Sequence, residues 1–262
     1  MTSSIAATPS VDVEQLRTKV QDMYRQVARE PQGHFHFEMG RALAERLGYP
    51  PGDLDAIPAE SIESFAGVGH HFDLAALREG ETVLDLGSGS GMDTFVAARR
   101  VGARGAVIGV DMTDAQLQKA EMLRDRAGLG QVTYRTAYLE SLPLPDDSVD
   151  VVISNGVINL CADKAGVFRE AARVLRPGGR LAISDIVTER DLPETVSCDA
   201  TLWAACIGGA MRQDRYIAAI EAAGLRVTAV QENPAYRFLS RSAQGASREY
   251  GVRSVSLRAE KV

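Results

Sequence analysis

Residues 83–91 read Val-Leu-Asp-Leu-Gly-Ser-Gly-Ser-Gly, an apolar run that ends in three alternating glycines. The apolar run predicts a buried β-strand. The glycines predict a sharp turn into a helix, because glycine adopts the backbone angles of such turns without strain. In open α/β sheets, ligands bind beyond the carboxyl ends of the strands. We therefore expect a ligand to contact the backbone of this turn.

Short runs rich in Val, Leu and Ile alternate with longer helical patterns after Glu81, which is typical of βαβ units. We expect an α/β fold with a Rossmann-like, doubly wound, mostly parallel seven-stranded sheet, whose last two strands pair as an antiparallel edge. The predicted strands are Thr82–Leu86, Ala106–Val110, Gln131–Arg135, Val149–Ser154, Arg180–Ser184, Leu225–Val230 and Ser254–Ala259. The predicted helices of this part are Asp93–Arg100, Asp114–Arg126, Lys164–Val174 and Arg215–Ala223.

Helical patterns also precede the sheet, at Val11–Glu30, Met39–Leu47 and Pro58–Phe65. We expect residues 1–75 to form a helical extension whose first helix covers the ligand site, and residues 76–262 to form the core. A Leu/Ala/Cys-rich stretch at Thr195–Met211 predicts a helical cap within residues 187–212. Thr113 and Gln116 predict a capping box at the start of the second core helix.

The composition of the 262-residue chain excludes several classes of protein. Hydrophobic residues make up 45% and charged residues 24%, which is ordinary for a globular protein. A net charge of −6 without a basic run argues against nucleic acid as the main partner. There is no apolar run long enough for a membrane span, so no membrane partner is expected. Three cysteines and an N-terminus without a targeting pattern predict a cytoplasmic protein. We expect a monomer or a homodimer.

Two ligand classes compete for the glycine turn. The dinucleotide fingerprint requires a glycine at position 92, where this chain has Met92, and a diphosphate would be repelled by Asp85. A ligand with an ammonium group would instead be attracted to Asp85. Asp111, predicted at the tip of the second strand, is placed to accept both ribose hydroxyls. These residues favour a zwitterionic nucleoside such as S-adenosylmethionine over a nicotinamide cofactor.

Further segments carry a resemblance to a known family. They lie at residues 83–93, 109–113, 140–143, 154–164 and 202–210, and include Ser-Asn-Gly-Val-Ile-Asn-Leu (154–160) and Cys-Ile-Gly-Gly-Ala (206–210). Together they resemble the class I S-adenosylmethionine-dependent methyltransferases, and more narrowly the arsenite methyltransferases. The resemblance implies methyl transfer from S-adenosylmethionine to a small-molecule acceptor.

The resemblance also implies roles for individual residues at the cofactor. Asp85, Gly87, Ser88 and Gly89 would hold the methionine end and the ribose, and Asp111 would bind the ribose hydroxyls. Met112 would pack on an adenine face, and Leu139 and Glu140 would approach the adenine edge, where related enzymes often have Asp at the position of Tyr138. Asn155 would lie beside the sulfonium.

The resemblance breaks down at the cysteines. It places arsenic-binding thiolates at the positions of Val68, Gly156 and Cys206, and only Cys206 is a cysteine here. Cys161 and Cys198 lie elsewhere in the chain, and all three cysteines are also plain small apolar residues. Arsenite methylation therefore stays an alternative, and no metal site is expected.

Histidines stand near the missing thiols. His70 and His71 follow a Gly-Val-Gly turn, which would allow close approach to a substrate. They are candidates for acid–base work on the acceptor together with Cys206, or else are loop residues satisfied by backbone carbonyls. A protein that binds S-adenosylmethionine without turnover is the remaining alternative function.

Overall fold

The computed structural model describes residues 12–197, 203 and 207–262. Five helices precede the sheet in the described residues: α1 (Val13–Arg29), α2 (Arg41–Leu47), α3 (Pro51–Asp55), α4 (Ala59–Glu63) and α5 (Phe72–Ala75). The strands are β1 (Thr82–Leu86), β2 (Ala106–Asp111), β3 (Val132–Thr136), β4 (Val149–Asn155), β5 (Leu175–Thr188), β6 (Met211–Arg212), β7 (Leu225–Glu232) and β8 (Arg253–Lys261). The remaining helices are α6 (Met92–Val101), α7 (Asp114–Ala127), a 3-10 turn (Ile158–Leu160), α8 (Lys164–Val174), α9 (Glu194–Ser197), α10 (Gln213–Ala222) and α11 (Arg241–Tyr250).

The sheet has the strand order β3-β2-β1-β4-β5-β8-β7. Strands β1 to β5 run parallel, and β8 is antiparallel to both β5 and β7. The chain order reverses between β1 and β4, so the turn after β1 lies at the switch point where α/β sheets bind ligands. The predicted α/β class, the mostly parallel sheet and the antiparallel edge are confirmed.

The sheet contains one strand more than the seven that we predicted. The eighth strand, β6, pairs with the end of β5 through Met211 and Arg212. The predicted cap helix therefore ends before Met211. Its middle, residues 198–202 and 204–206, lies outside the described residues. The helix α11 was also not predicted, because its residues are mostly polar or small, although Ser240 accepts a hydrogen bond from the Ala243 amide as a helix cap.

Apolar side chains fill both faces of the sheet. Helices α6 and α7 pack on one face with α2 to α5, and α8 and α10 pack on the other. A third cluster joins Leu16 and Val20 of α1 to Leu160, Ile186 and Trp203. None of the helices in the described ranges is both long and apolar enough to cross a bilayer.

Candidate active site

A cavity with about 1130 Å³ of empty space, partly open to solvent, lies at the carboxyl ends of β1, β2 and β4. Its floor is the turn after β1, and its far wall is the segment after β3. Residues of α1 form its roof. The predicted ligand edge of the sheet is therefore where the structure has its cavity.

The glycine turn forms the floor. Gly87 has φ +72° and a Cβ there would lie 2.5 Å from Val157 side-chain atoms, so glycine is required. The Gly87 and Ser88 amides both donate to the Val110 carbonyl, at 2.7 and 3.0 Å. The Ser88 hydroxyl is 8% exposed and has no hydrogen-bond partner within the described residues. A buried hydroxyl on a cavity wall without a partner fits a site that takes a polar ligand.

Asp111 ends β2 and holds two loops of the cavity. Its Oδ1 accepts from the Thr113 amide at 2.8 Å, and its Oδ2 accepts from the Gly89 amide at 3.0 Å. Burial raises the pKa of this carboxyl, and these backbone hydrogen bonds oppose the shift. Because each carboxylate oxygen has a second lone pair, Asp111 retains the capacity to accept from a pair of hydroxyl groups.

Two buried carboxyl groups face the cavity beside the turn. Asp85 is 2% and Asp93 is 7% exposed. Thr94 donates to Asp85 at 2.6 Å, and Tyr49 donates to Asp93 at 2.6 Å. Burial and then the neighbouring Asp93 raise the pKa of Asp85, and burial raises the pKa of Asp93. Such a pair binds a cation favourably, because a positive charge stabilises both ionised forms.

Asn155 lies on the cavity wall, but its amide is used by the protein. Its Oδ1 accepts from the amides of Val68 and Gly69, at 2.8 and 3.3 Å. Its Nδ2 lies 3.0 Å from the Tyr49 hydroxyl, 2.9 Å from the Gly69 carbonyl and 3.1 Å from Asp93 Oδ2. Asn155 therefore fixes the Gly-Val-Gly turn against the sheet.

The wall after β3 contains Tyr138, Leu139 and Glu140. Leu139 is buried, and Tyr138 is 41% exposed. Arg17 of α1 lies 3.7 Å from the Glu140 carboxylate and 4.2 Å from the centre of the Tyr138 ring. Met112 faces the cavity from the loop after β2. The residues that the resemblance assigns to adenine, Met112, Leu139 and Glu140, thus line the same cavity.

Helix α1 is held over the cavity by two amide side chains. Gln21 donates to the Met112 carbonyl at 3.1 Å, and Gln116 donates to the Tyr24 carbonyl at 3.0 Å. Gln116 also accepts from Ser90. The predicted capping box of Thr113 and Gln116 is therefore wrong, because the Gln116 side chain joins the floor of the cavity to its roof.

Part of the cavity wall is apolar. It includes Phe65, Gly67, Val157, Leu160 and Cys161. The Cys161 sulfur lies 3.9 Å from the Val157 carbonyl, and burial raises the pKa of its thiol. This thiol is therefore held in its protonated form. Cys198 and the predicted site residue Cys206 lie outside the described residues.

The structure brings two of the three arsenic positions implied by the resemblance into contact. A Cβ at Gly156 would lie 3.1 Å from Val68 Cγ1, and Val68 is 1% exposed. The two positions are adjacent, but one carries hydrocarbon and the other no side chain. Neither supplies a thiolate.

His70 and His71 lie beside the cavity, with His71 fully buried and the His70 side chain 9% exposed. Neither His70 nor His71 is among the described residues that line the cavity. His70 packs edge-on against Tyr49, and His71 stacks on Phe72 with both ring nitrogens unpartnered within the described residues. Burial lowers the pKa of His71 to about 3. This placement does not support acid–base work by either imidazole on an acceptor.

Sequence reasoning missed four residues of the site: Arg17, Tyr49, Asp93 and Gln116. Asp93 follows the glycine turn directly and Gln116 stands near the tip of the second strand, so the sequence positions of both residues carry a signal. Arg17 and Tyr49 come from the helical extension and converge only through tertiary contacts. The described residues contain no group of three His, Cys, Asp or Glu that could hold a metal ion.

Comparison with known proteins gives the same fold and a family. Residues 77–224 match the family described as "Methyltransferase domain". The arsenite methyltransferase of Halobacterium salinarum is 42% identical over 187 residues, which are 71% of this chain and 48% of that relative. This chain therefore spans about half the length of that relative.

Solved structures agree with this match. An arsenic(III) S-adenosylmethionine methyltransferase from Chlamydomonas reinhardtii superposes with a TM-score of 0.62 and 34% identity, over 86% of this chain and 74% of that one. A geranyl diphosphate C-methyltransferase from Streptomyces coelicolor, at 18% identity and a TM-score of 0.67 over 93% of this chain and 98% of that one, shares the fold. The family match covers more than half of the residues, and this chain belongs to the S-adenosylmethionine-dependent methyltransferases of class I.

Proposed function

We propose that this protein transfers a methyl group from S-adenosylmethionine to a small-molecule acceptor. The observation that carries the proposal is the placement of Asp85, the glycine turn and Asp111 on neighbouring strand ends of one cavity. The order of these groups matches an elongated ligand with an ammonium group at one end and a ribose in the middle. When bound, this ligand supplies a methyl group activated on a positively charged sulfur.

Each part of the cofactor has candidate partners in the cavity. Asp85 would attract the ammonium, with Ser88 as an additional polar partner, while Gly87 and Gly89 leave room for the ligand against the backbone. Asp111 would accept from the ribose hydroxyls. The nucleobase would lie among the residues Met112, Leu139 and Glu140. Asn155 would contribute from the cavity wall by fixing the turn that begins at Gly67, because its side-chain amide is hydrogen-bonded within the protein.

The apolar part of the cavity would take the acceptor. Methyl transfer needs the nucleophile, the methyl carbon and the sulfur nearly in line, so the protein's main task is positioning. The charge on sulfur is lost as the new bond forms, and a dry wall such as Phe65 and Leu160 favours that change. These residues support an acceptor that is small and weakly polar.

Arsenite is the second candidate acceptor, and the similarity to arsenite methyltransferases favours it. The residue types of Val68 and Gly156 weigh against arsenite, because neither supplies a thiolate and thiolates are the ligands that suit trivalent arsenic. Arsenite turnover here would need thiols from elsewhere, such as Cys206 or a small thiol in solution.

Time-dependent formation of S-adenosylhomocysteine tests the proposal. The purified chain is incubated with S-adenosylmethionine and a panel of acceptors, including arsenite with a thiol and weakly polar amines, phenols and enols. Product formation that depends on one acceptor supports an enzyme. Tight cofactor binding without product for any acceptor would favour a non-catalytic binding module. Binding of a nicotinamide dinucleotide instead, in equilibrium dialysis, would overturn the proposal.

A further inference from the structure

The wall after β3 receives one charged side chain from the roof. The face of α1 that lines the cavity consists of Val13, Leu16, Arg17, Val20 and Tyr24, and Arg17 is its only charged member among the described residues. Val13, Leu16 and Val20 are apolar, and Tyr24 is aromatic. Arg17 is therefore the residue of this face of α1 that can pair with a carboxylate.

Arg17 has partners on three sides. Its guanidinium lies 3.1 Å from Glu14, 3.7 Å from Glu140 and 4.2 Å from the centre of the Tyr138 ring. The side chains of Arg17 and Glu140 are 28% and 18% exposed. A planar guanidinium can stack on a ring and pair with a carboxylate at once, which an ammonium cannot do equally well. Arg17 thus restrains both Tyr138 and Glu140.

Sheet order decides which part of the ligand reaches this wall. β2, which carries Asp111, lies between β1 and β3. A ligand with its ammonium near Asp85 and its ribose at Asp111 therefore extends its base toward the segment after β3. Glu140 belongs to that segment and lines the cavity.

The chemistry of the wall distinguishes bases. An ionised carboxylate only accepts hydrogen bonds, and the exocyclic amine of adenine donates them. Hypoxanthine has a carbonyl oxygen in that place, which a carboxylate repels. Discrimination of this kind depends on holding the carboxylate in one orientation.

We propose that Arg17 is a positioning residue that sets the preference for adenine at the cofactor site, by fixing Glu140 and the ring of Tyr138. The proposal rests on the proposed function, since it assumes that the cavity binds S-adenosylmethionine. It adds that the helical extension takes part in recognising the base, in addition to covering the cavity.

The test compares two ligands in isothermal titration. One is S-adenosylhomocysteine and the other is its hypoxanthine analogue, in which the exocyclic amine is replaced by a carbonyl. The variants are Arg17→Met, Arg17→Lys and Glu140→Gln. The matched control is Arg25→Met on the same helix, because Arg25 pairs with Asp22 and does not line the cavity.

We expect wild type and Arg25→Met to prefer the adenine ligand equally. Glu140→Gln should reduce that preference on the order of tenfold, because an amide both donates and accepts. Arg17→Met should weaken binding of the adenine ligand by about three- to tenfold and reduce the preference in the same direction. Arg17→Lys should restore part of the preference. In the double variant Arg17→Met/Glu140→Gln the two effects on the preference should not add.

Two results would overturn the proposal while leaving the proposed function intact. One is unchanged binding of both ligands by Arg17→Met. The other is a loss by the same factor for both ligands, which would mean that Arg17 only holds α1 in place. Failure of wild type to bind S-adenosylhomocysteine would overturn the proposed function itself.

Discussion

We expect cofactor binding to depend most on Asp111, because two roles meet at its carboxylate. Its carboxylate fixes Gly89 and Thr113 through their amides, and it is the candidate partner of the ribose. Replacing it with alanine should weaken binding of S-adenosylhomocysteine by about 1–3 kcal/mol, since buried donors lose their acceptor. Titration calorimetry measures this loss. Asp114→Ala, just beyond the loop, is the control, and equal affinities of Asp111→Ala and wild type would contradict the assignment.

We expect Asp85 to make cofactor binding dependent on pH. Its pKa is raised by burial and by Asp93, so part of the population is protonated near neutral pH, whereas an ammonium ligand favours the ionised form. Binding should therefore release a proton, and affinity should fall as the pH is lowered from about 7 to about 5, where the ligand's amine stays charged. Calorimetry in two buffers of different ionisation enthalpy measures the released proton. Asp85→Asn should bind more weakly and keep only the smaller pH dependence that the raised pKa of Asp93 causes. A dependence equal to that of wild type in this variant would refute the argument.

Residue type and spacing predicted residues that the structure places on one cavity. Asp85, Gly87 and Asp111 are recognisable because each stands at the end of a predicted strand, and the carboxyl ends of parallel strands share an edge. Spacing does not tell which way a side chain points. His70 and His71 are therefore recognisable as candidates but not as buried residues, and the hydrogen bonds of Asn155 to Val68 and Gly69 join positions 86 or more residues apart.

The position of helix α1 over the cavity can be tested by removing one of its hydrogen bonds. The hydrogen bond from Gln116 to the Tyr24 carbonyl is one of its two amide tethers to the cavity. Gln116→Leu keeps the volume and removes the bond, and it leaves Ser90 without this acceptor. We expect hydrogen exchange of the α1 amides to accelerate on the order of tenfold, with faster release of S-adenosylhomocysteine.

Gln26→Leu is the matched control for this tether, because Gln26 is exposed on the same helix. It should leave both the exchange and the release rate unchanged. Exchange by Gln116→Leu at the wild-type rate would show that the apolar contacts of α1 suffice to hold it.

Elements were predicted best where periodicity and length agree. The helix at Lys164–Val174 has the predicted bounds, and in the structure Asp163 caps it by accepting from the Gly166 amide. The sequence does not predict the strand β6, because two residues are too few to show an alternation of apolar and polar side chains. The strand is defined by its pairing with β5. The tertiary contact decides such an element, so propensity alone does not reveal it.

The stability of the whole molecule should decrease in acid because of His71. Its pKa lies near 3 in the folded protein and near the ordinary histidine value of about 6.5 when the chain is unfolded, so folding excludes a proton between these two pH values. From about pH 7 to about pH 5, this group should lower the free energy of unfolding by about 2 kcal/mol. Urea unfolding of wild type and His71→Phe at the two pH values measures the difference.

Two histidine variants test this titration. His71→Phe removes the titration, so its unfolding free energy should depend less on pH than that of wild type. His34→Phe, at an exposed position, should follow wild type. A pH dependence that is identical in His71→Phe and wild type would show that other groups cause the loss.

The roof and floor of the cavity come from distant parts of the chain. Gln21 donates to the carbonyl of Met112, 91 positions later, and Gln116 donates to the carbonyl of Tyr24, 92 positions earlier. Contacts of such separation close long loops and tend to form slowly, so we expect the binding site to be completed late in folding. A ligand that contacts only the completed site does not accelerate folding. It slows unfolding instead, and the lifetime of the folded chain should lengthen with cofactor supply.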